Sequence, residues 1–300
     1  MSTPEPSGAV AADRPAVRGL FQGLFDDAAV FPPGLAPLPQ AVRDHVARQS
    51  SPHADLVGPL LLPVSAIADL LDLEHPPLKI ALVGRPGSRL ALVGEALSAL
   101  GERPGVTVAG IEVGWSADWH QSTSWGSRTA GPNGRGVLRS VEVPRDVGLE
   151  DALSDIHAHA DDANPVQAKF RTGSIPGQPA PTGFELATFI RACVDHDLSF
   201  KLTGGLHHAI SQTAPEGEHE VGFLNIIAAT RWALAHGAEV PQMESLLAQR
   251  DVTPILEIIS RMSEADASVL RAFFTSYGCC DVMDPIRDLV TLGLIKEEAL

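Results

Sequence analysis

The chain has 300 residues, of which 44% are hydrophobic and only 20% are charged, so it can bury a large core and does not read as a disordered polypeptide. Acidic residues outnumber basic residues by 37 to 22, and no Lys/Arg cluster stands out, which excludes the basic surface of a typical nucleic-acid-binding protein. No run of about 18 apolar residues is present, which excludes a hydrophobic membrane span.

The N-terminus and the cysteines indicate the cellular compartment. Residues 1–18 are rich in Ala, Pro and Ser and lack the apolar stretch of a signal peptide, so we expect a disordered leader. The three cysteines, Cys193, Cys279 and Cys280, supply neither a disulfide framework nor a CxxC metal motif. We therefore expect a protein of the reducing cytoplasm.

Short apolar runs rich in β-branched residues alternate with amphipathic helical runs along most of the chain. The predicted strands are Leu24–Phe31, Leu56–Pro63, Leu78–Val83, Val106–Val113, Val137–Val143, Val166–Phe170, Leu198–Leu202 and a weak eighth, Val221–Ile227. The predicted helices between them are Leu38–Arg48, Ser65–Leu73, Ser88–Leu100, Leu149–Ala160 and Gly183–His196. Alternation of this kind indicates a parallel sheet covered by helices.

Eight strands about 30 residues apart favour a closed (β/α)8 TIM-like barrel, here residues 19–240, over an open doubly wound sheet. No GxGxxG or P-loop motif supports the open alternative. The eighth strand is the weakest element, because residues 222–234 also fit a continuous helix. Beyond it, residues 241–300 show only helical patterns, which predicts a helical extension packed on the barrel.

A loop rich in Trp, Ser, Gly and Asn, Gly114–Gly136, follows the fourth predicted strand. On a barrel this loop lies on the active-site face and is long enough to act as a lid. Its tryptophans Trp115, Trp119 and Trp125 would then shield the site from water, although simple packing of the loop explains them equally well.

Charged side chains interrupt the apolar strands at their carboxyl ends, where barrel enzymes place catalytic residues. Glu112 ends the fourth strand and Glu142 the fifth; Lys169 and Arg171 end the sixth, and Lys201 and Thr203 the seventh. The positions recur at intervals of about 30 residues, one β/α unit, so they should form one ring.

Two lysines and an arginine at adjacent strand ends repel one another, and this repulsion, with burial, lowers the pKa of a lysine. A neutral lysine amine attacks carbonyl compounds to form a Schiff base. Glu112, Glu142 and an Asp26-Asp27 pair would balance charge or shuttle protons, with Asp27 as the inward carboxylate, or Asp26 if the register slips by one. The alternative is that the lysines form structural ion pairs with Glu112 and Glu142.

Two strand segments carry a family resemblance. Residues 168–173 (AKFRTG) and 200–206 (FKLTGGL) resemble the lysine-bearing strands of deoxyribose-phosphate aldolases, and residues 24–32 (LFDDAAVFP) faintly resemble their first strand. The resemblance implies a class I aldolase barrel without an organic cofactor. Lys169 would form the imine, Lys201 would perturb its pKa, and the Gly204-Gly205 turn would bind substrate phosphate. Arg171 and His207-His208 depart from the family pattern.

The remaining candidates lie in the loops that follow the seventh strand. His207 and His208 should lie on the active face, one of them as an acid/base or loop cap, and Asn225 would reach the site if residues 221–227 form a strand. A metal held by His207, His208 or His219 with Glu112 or Asp27 is a weaker expectation, because the nearby cations oppose it.

Three functions follow in order of preference. The first is a class I aldolase-like lyase that forms a Schiff base at Lys169 with a small carbonyl substrate, whose anionic group Arg171 and Lys201 would hold. The second is a metal-assisted lyase, isomerase or hydrolase that uses His207 and the strand-end carboxylates. The third is a non-catalytic anion-binding barrel. We expect a small-molecule substrate, no metal, no cofactor, no nucleic acid and no membrane, and homo-oligomers are left open.

Overall fold

Eight parallel strands close into a barrel, which confirms the predicted (β/α)8 fold. The structure is a computed structural model that describes residues 14–87, 89–101, 103–120, 137–145, 147–161, 165–214, 217 and 219–297. The barrel strands are β1 (Phe25–Asp27), β2 (Val57–Pro63), β3 (Leu78–Val83), β4 (Val106–Gly114), β5 (Leu138–Glu142), β6 (Val166–Arg171), β7 (Phe200–Thr203) and β10 (Phe274–Cys279). Strand β10 closes the barrel because it pairs with both β7 and β1.

Helices surround the barrel. They are α1 (Pro15–Phe21), α2 (Leu38–Arg48), α3 (Ile67–Leu71), α4 (Leu90–Gly101), α5 (Leu149–Ala158), α6 (Gly183–Asp195), α7 (Phe223–His236), α8 (Val240–Leu247), α9 (Val252–Ser260), α10 (Glu264–Phe273) and α11 (Met283–Thr291). A two-stranded antiparallel ribbon, β8 (Gln212–Thr213) and β9 (His219–Glu220), lies outside the barrel. Among the described residues, no helix combines the length and apolar composition needed to cross a membrane.

The main hydrophobic core lies between the strands and the helices. Outward-facing aromatic side chains of the strands form a continuous stack, in which Phe25 and Tyr277 pack on each other and both pack on Phe223 of α7. All three are fully or almost fully buried. Burial of an aromatic side chain stabilises a fold by roughly 2–3 kcal/mol, so this layer holds the first and last strands against the helical shell.

Local sequence signals explain where individual helices begin. Thr182 caps α6 by accepting a hydrogen bond from the backbone N–H of Glu185, whose carboxylate accepts one from the N–H of Thr182. Ser263 and Asp266 form the same reciprocal arrangement at α10. Each such cap satisfies backbone N–H groups that the first helical turn leaves without partners. The cap on α6 fixes the helix that lies between the two lysine-bearing strands.

The predicted eighth strand, residues 221–227, is wrong, because Phe223–His236 form α7. The segment is apolar throughout because α7 is buried on most of its surface, a pattern that a short buried strand shares. The true eighth strand, Phe274–Cys279, lies within the segment that was predicted to contain only helices. Helices α8, α9 and α10 therefore lie outside the barrel but precede its last strand.

The prediction of a disordered leader over residues 1–18 is wrong for its last residues. Residues 1–13 lie outside the described part of the chain, but Pro15–Phe21 form α1. Val17, Leu20 and Phe21 are fully buried, and α1 packs against α10. Burial of these three side chains explains the order of residues 15–18, which their Ala- and Pro-rich composition does not suggest.

Candidate active site

Lys169 and Lys201 lie side by side inside the barrel. They are directly paired in the register of β6 and β7, and each is only 3% exposed. Their neighbours Ala168, Phe170 and Leu202 are fully buried in the outer core, as the alternation of strand side chains requires. Both lysines therefore project into the barrel interior, as predicted.

A single carboxylate joins the two lysines. Glu112, at the end of β4, is 2% exposed and accepts contacts from both ammonium groups. Its Oε2 lies 2.8 Å from Lys169 Nζ, and its Oε1 lies 2.5 Å from Lys201 Nζ. Each oxygen of this carboxylate thus contacts a lysine, and the two lysines lie on neighbouring strands.

Further polar groups extend this bridge in both directions. On one side, Lys201 Nζ lies 2.6 Å from Asp26 Oδ2, which also accepts a 2.8 Å hydrogen bond from Ser276 Oγ. On the other side, Lys169 Nζ lies 2.8 Å from Glu142 Oε2. Arg171 closes that end with a 2.9 Å contact from its Nε to Glu142 Oε1. We call this continuous series the lysine–carboxylate chain; its members are Ser276, Asp26, Lys201, Glu112, Lys169, Glu142 and Arg171.

The charges and the burial of the lysine–carboxylate chain shift the pKa values of its three carboxyl groups. Burial, the largest influence, would raise the pKa of Glu112, but Lys169 and Lys201 outweigh it and lower that pKa to about 2. The pKa of Glu142 is likewise lowered, because Lys169 and Arg171 outweigh the effect of burial. Burial dominates at Asp26 and raises its pKa, although Lys201 and Ser276 oppose the change. Of the three carboxyl groups in the lysine–carboxylate chain, Asp26 therefore binds a proton most readily.

The expected lowering of the lysine pKa by mutual repulsion is wrong for Lys201. Burial acts to lower the pKa of Lys201, but Asp26 and Glu112 outweigh burial and raise it above its ordinary value. The ion pairs of the lysines with Glu112 and Glu142, which the sequence offered as the alternative, are present, and Asp26 adds a further partner for Lys201. With three carboxylates interleaved, attraction exceeds repulsion.

Asp27 was the preferred inward carboxylate, and this choice is wrong. Its Oδ2 lies 3.0 Å from His45 Nδ1 and 2.8 Å from Arg48 Nη1, both on α2, outside the barrel. Asp26 takes the inward position, because successive side chains of a strand alternate between faces. All three residues of β1 are buried, so no alternation of buried and exposed residues indicates which of the two aspartates points into the barrel. Asp27 instead fastens α2 to the end of β1.

The turns that follow β6 and β7 pack tightly against each other. A Cβ added at Gly173 would lie 3.0 Å from the carbonyl carbon of Gly204, so these backbones leave no room for a side chain. Gly204 and Gly205 have φ values of +80° and +71°, which glycine adopts without strain. The hydroxyl of Thr172 donates to the carbonyl of Gly204, and its N–H donates to Thr203 O at 2.9 Å. The predicted Thr203-Gly204-Gly205 turn thus lies at the mouth of the barrel, beside Arg171.

The histidines and Asn225 lie apart from the lysine–carboxylate chain. His207 Nδ1 is 3.1 Å from Asp284 Oδ2, and His208 Nδ1 is 3.4 Å from Asp288 Oδ2. His219 is an exposed residue of β9. No group of three or more His, Cys, Asp or Glu side chains among the described residues has a geometry that could hold a metal ion. The pairing of His207 or His208 with Glu112 or Asp27, which the metal hypothesis required, is not observed.

Asn225 is a structural residue of the helical shell. Its Oδ1 accepts a 2.9 Å hydrogen bond from Ser211 N, and its Nδ2 donates to the carbonyls of Leu246 and Gln249. Because residues 223–236 form a helix rather than a strand, Asn225 does not reach the barrel interior. Its prediction as a substrate-binding residue is therefore wrong.

The described part of the long loop shows simple packing. The indole N–H groups of Trp115 and Trp119 donate to Asp155 Oδ2 of α5 at 2.9 and 2.7 Å. Trp119 is fully buried. Residues 121–136, which include Trp125 and most of the predicted lid, lie outside the described residues.

Sequence reasoning missed Ser276 and Gly58. Ser276 lies on the unrecognised strand β10, so its contact with Asp26 had no signal beyond an isolated hydroxyl. Gly58 interrupts the apolar strand β2, and a Cβ there would overlap the carboxylate of Asp26. A glycine inside a strand often marks the close approach of another group, which was the available signal.

Two surface clefts of the described structure are not lined by the lysine–carboxylate chain. One cleft lies among Leu38, Pro39, Asp69, Asp72 and Leu73, and the other lies at the ends of β3 and β4 around Arg85 and Arg89. Arg171, whose side chain is 27% exposed, is the outermost cation of the chain. Comparison of the whole chain with protein-family models, curated proteins and solved structures gives no match.

Proposed function

We propose that the protein is a class I aldolase-like lyase in which Lys169 forms a Schiff base with a small carbonyl compound. The observation that carries the proposal is the sharing of Glu112 by two buried ammonium groups, at 2.8 Å from Lys169 and 2.5 Å from Lys201. Imine chemistry requires an amine that can lose its proton and a nearby group that can return it. A carboxylate between two lysines offers a direct route for both transfers.

The charges of the site balance one another, so a proton gained at one group can be offset by a proton lost at another. Lys169, Lys201 and Arg171 supply three positive charges, and Asp26, Glu112 and Glu142 supply three negative charges when all are ionised. Burial raises the pKa of Asp26, so this carboxyl takes up a proton more readily than Glu112 or Glu142. A proton taken up at Asp26 would leave one excess positive charge in the site, which the transfer of a lysine proton out of the site would remove.

Lys169 is the better candidate for the nucleophile. Lys201 is held between Asp26 and Glu112, and these carboxylates raise its pKa. It is therefore suited to remain an ammonium ion that donates a proton through Glu112. The neutral Nζ of Lys169 would attack the carbonyl carbon, and the hydroxyl of the carbinolamine would leave as water after protonation along this route. The resemblance of residues 168–173 to an aldolase imine strand assigns the same role to Lys169.

Arg171 is the group best suited to meet an anionic part of the substrate. Arg171 is the most exposed cation of the lysine–carboxylate chain, and it lies beside the glycine turn of residues 204–205. Lys201 is enclosed by Asp26 and Glu112 and is not available for the anion-binding role that the sequence suggested. A purely anion-binding barrel is disfavoured because Lys169 and Lys201 are buried against carboxylates, which leaves Arg171 as the one partly exposed cation of the three.

Reductive trapping tests the proposal directly. The chain has only four lysines, Lys79, Lys169, Lys201 and Lys296, so an adduct can be assigned by peptide mass spectrometry. Sodium borohydride with a panel of small aldehydes and ketones, with and without a phosphate group, should modify Lys169 in preference to the exposed Lys79 and Lys296. The matched variant Lys169→Arg keeps a cation between Glu112 and Glu142 but cannot form an imine.

Two results would contradict the proposal. One is equal trapping at all four lysines, which would mean ordinary surface reactivity. The other is an adduct at Lys201 in both the wild-type protein and the Lys169→Arg variant, which would exchange the two roles. An unchanged thermal unfolding midpoint in Lys169→Arg would show that loss of the adduct does not result from unfolding.

A further inference from the structure

A second group of reactive side chains lies at the rim of the barrel, where β10 ends. Cys280 Sγ lies 3.3 Å from His207 Nε2, and Nδ1 of the same imidazole lies 3.1 Å from Asp284 Oδ2. A nucleophile on one ring nitrogen and a carboxylate on the other is the arrangement of a nucleophile–base–orienting-group triad. The group shares no residue with the lysine–carboxylate chain.

The three side chains come from separate elements that the fold brings together. His207 follows the glycine turn after β7, Cys280 follows the last residue of β10, and Asp284 lies in the first turn of α11. Gly278, two residues before Cys280, faces Leu61 and Thr203 inside the barrel mouth. Ser276, two residues earlier still, reaches Asp26 in the interior. The strand thus leads from the interior to the rim at Cys280.

Asp284 is held in the orientation that the triad requires. Its Oδ1 accepts a 3.0 Å contact from Arg287 Nη1, which leaves Oδ2 directed at His207. The neighbouring Asp288 accepts a 2.8 Å hydrogen bond from the backbone N–H of Ala209 and so ties the histidine loop to α11. With Nδ1 engaged by a carboxylate, Nε2 is the nitrogen that exchanges a proton with Cys280.

The three cysteines of the chain differ in access. Cys280 is partly exposed, and the side chains of His207 and Asp284 are 25% and 33% exposed. Cys279 is 1% exposed, and its Sγ is farther from the ring, 3.8 Å from Nδ1. Burial raises the pKa of the Cys279 thiol, although His207 opposes the change. Cys193 is fully buried in α6. Cys280 is therefore the cysteine that a reagent can reach.

The electrostatics of His207 agree with this geometry. Hydrogen bonds to Cys279 and Cys280, followed by their charges, raise the pKa of His207 to about 11 against the effect of burial. A protonated imidazole next to a partly exposed cysteine is an environment typical of reactive thiols.

We propose that Cys280 is a second nucleophile of this protein, activated by His207 and positioned through Asp284, and that it accepts acyl groups from activated esters or thioesters. The sulfur of Cys280 forms a bond to the acyl carbon while the proton that it shares with His207 resides on Nε2. Collapse of the tetrahedral adduct breaks the bond to the leaving oxygen or sulfur, which takes the proton from Nε2. The products are a Cys280 thioester and an alcohol or thiol, so no oxidant, reductant or metal is consumed.

Acetylation by p-nitrophenyl acetate at neutral pH tests the inference. We expect release of one equivalent of p-nitrophenolate in a burst, with the acetyl group on Cys280 in fragmentation spectra of the peptide. The Cys279→Ser variant should retain the burst, and Cys280→Ser should lose it. His207→Gln should slow acetylation by about 100-fold, within the usual range for loss of an acid–base group. Asp284→Asn should slow it by about tenfold, and Asp284→Glu should restore part of the rate.

Acetylation of Cys280 in His207→Gln at a rate within twofold of the wild type would overturn the inference, as would acetylation confined to lysines or to Cys193. Thermal unfolding midpoints of each variant separate loss of reactivity from loss of fold. Because Lys169→Arg leaves the triad intact, its burst should equal that of the wild type, so the two proposals fail or succeed independently.

Discussion

Lys169 and Lys201 face each other across two hydrogen-bonded strands, and their ammonium groups contact opposite oxygens of the same carboxylate. Removal of two charges from water is costly, and only the interleaved carboxylates make this burial tolerable. The shared carboxylate also couples the lysines, because a proton that leaves one changes the charge that the other experiences.

Substitution of the shared carboxylate should weaken the whole protein. Glu112→Gln keeps the size of the side chain but leaves two buried lysines with one carboxylate partner each, a change that should lower the free energy of unfolding by about 3–5 kcal/mol. Urea unfolding followed by circular dichroism measures this loss. Glu142→Gln is the matched control and should cost less, because the Arg171 side chain is 27% exposed to solvent at that end and Glu142 is less buried than Glu112.

Acid should destabilise the protein through the same carboxylate. The pKa of Glu112 falls from 4.5 to about 2 on folding, because the two lysines outweigh burial. A lowered pKa adds stability above pH 4.5 that is lost as the pH falls toward 2, an effect of about 3 kcal/mol for a group this deeply buried.

The variant Glu112→Gln isolates this contribution. The lowered pKa of Glu142 acts in the same direction, whereas the raised pKa of Asp26 acts in the opposite one. Only the difference between wild type and Glu112→Gln therefore reports on Glu112. We expect that difference in unfolding free energy to shrink between pH 5 and pH 2; a constant difference across this range would contradict the assignment.

The sequence predicted the barrel and most of the site from strand rhythm alone. Glu112, Glu142, Lys169 and Lys201 were found because polar residues at the ends of apolar strands recur once per β/α unit. The eighth strand was not found, because a register shift between Phe274 and Ser276 lets polar side chains reach the interior and breaks the apolar pattern. Thr275 there bonds to Gln167, and Ser276 bonds to Asp26. The sequence offered ion pairs of the lysines with Glu112 and Glu142 only as an alternative, because the strand pattern does not show which carboxylate lies between which lysines.

Asp26 and Asp27 should behave differently although they are adjacent. Asp27→Asn weakens the contacts to His45 and Arg48 outside the barrel and should lower stability by about 1–3 kcal/mol while imine trapping at Lys169 persists. Asp26→Asn removes a partner of Lys201 and should change the trapping rate and its pH dependence. Paired measurements of unfolding and trapping on both variants test the inward and outward assignments. A larger effect of Asp27→Asn on trapping would reverse them.

Gly58 supplies a test that leaves every charged residue in place. A Cβ at this position on β2 would overlap Oδ1 of Asp26 and would lie 3.3 Å from its Cα, so the carboxylate must move. We expect Gly58→Ala to cost about 1–3 kcal/mol of stability, as overpacking of a core does, and to displace Asp26 from Lys201. Loss of that contact leaves Glu112 as the carboxylate bound to Lys201, so imine trapping at Lys169 should change although its own partners remain.

The matched control for this substitution is Gly19→Ala in α1. A Cβ at Gly19 meets nothing within 4 Å, and the residue is helical, so alanine should stabilise the protein by about 0.5–1 kcal/mol. Urea unfolding of both variants gives the stability difference, and borohydride trapping gives the effect on the site. If Gly58→Ala lowers stability but leaves both the rate and the pH dependence of trapping at the wild-type values, the contact between Asp26 and Lys201 has no part in the reaction. If trapping changes in Gly58→Ala and not in Gly19→Ala, one added methyl group beside Asp26 alters the proton balance of the two lysines.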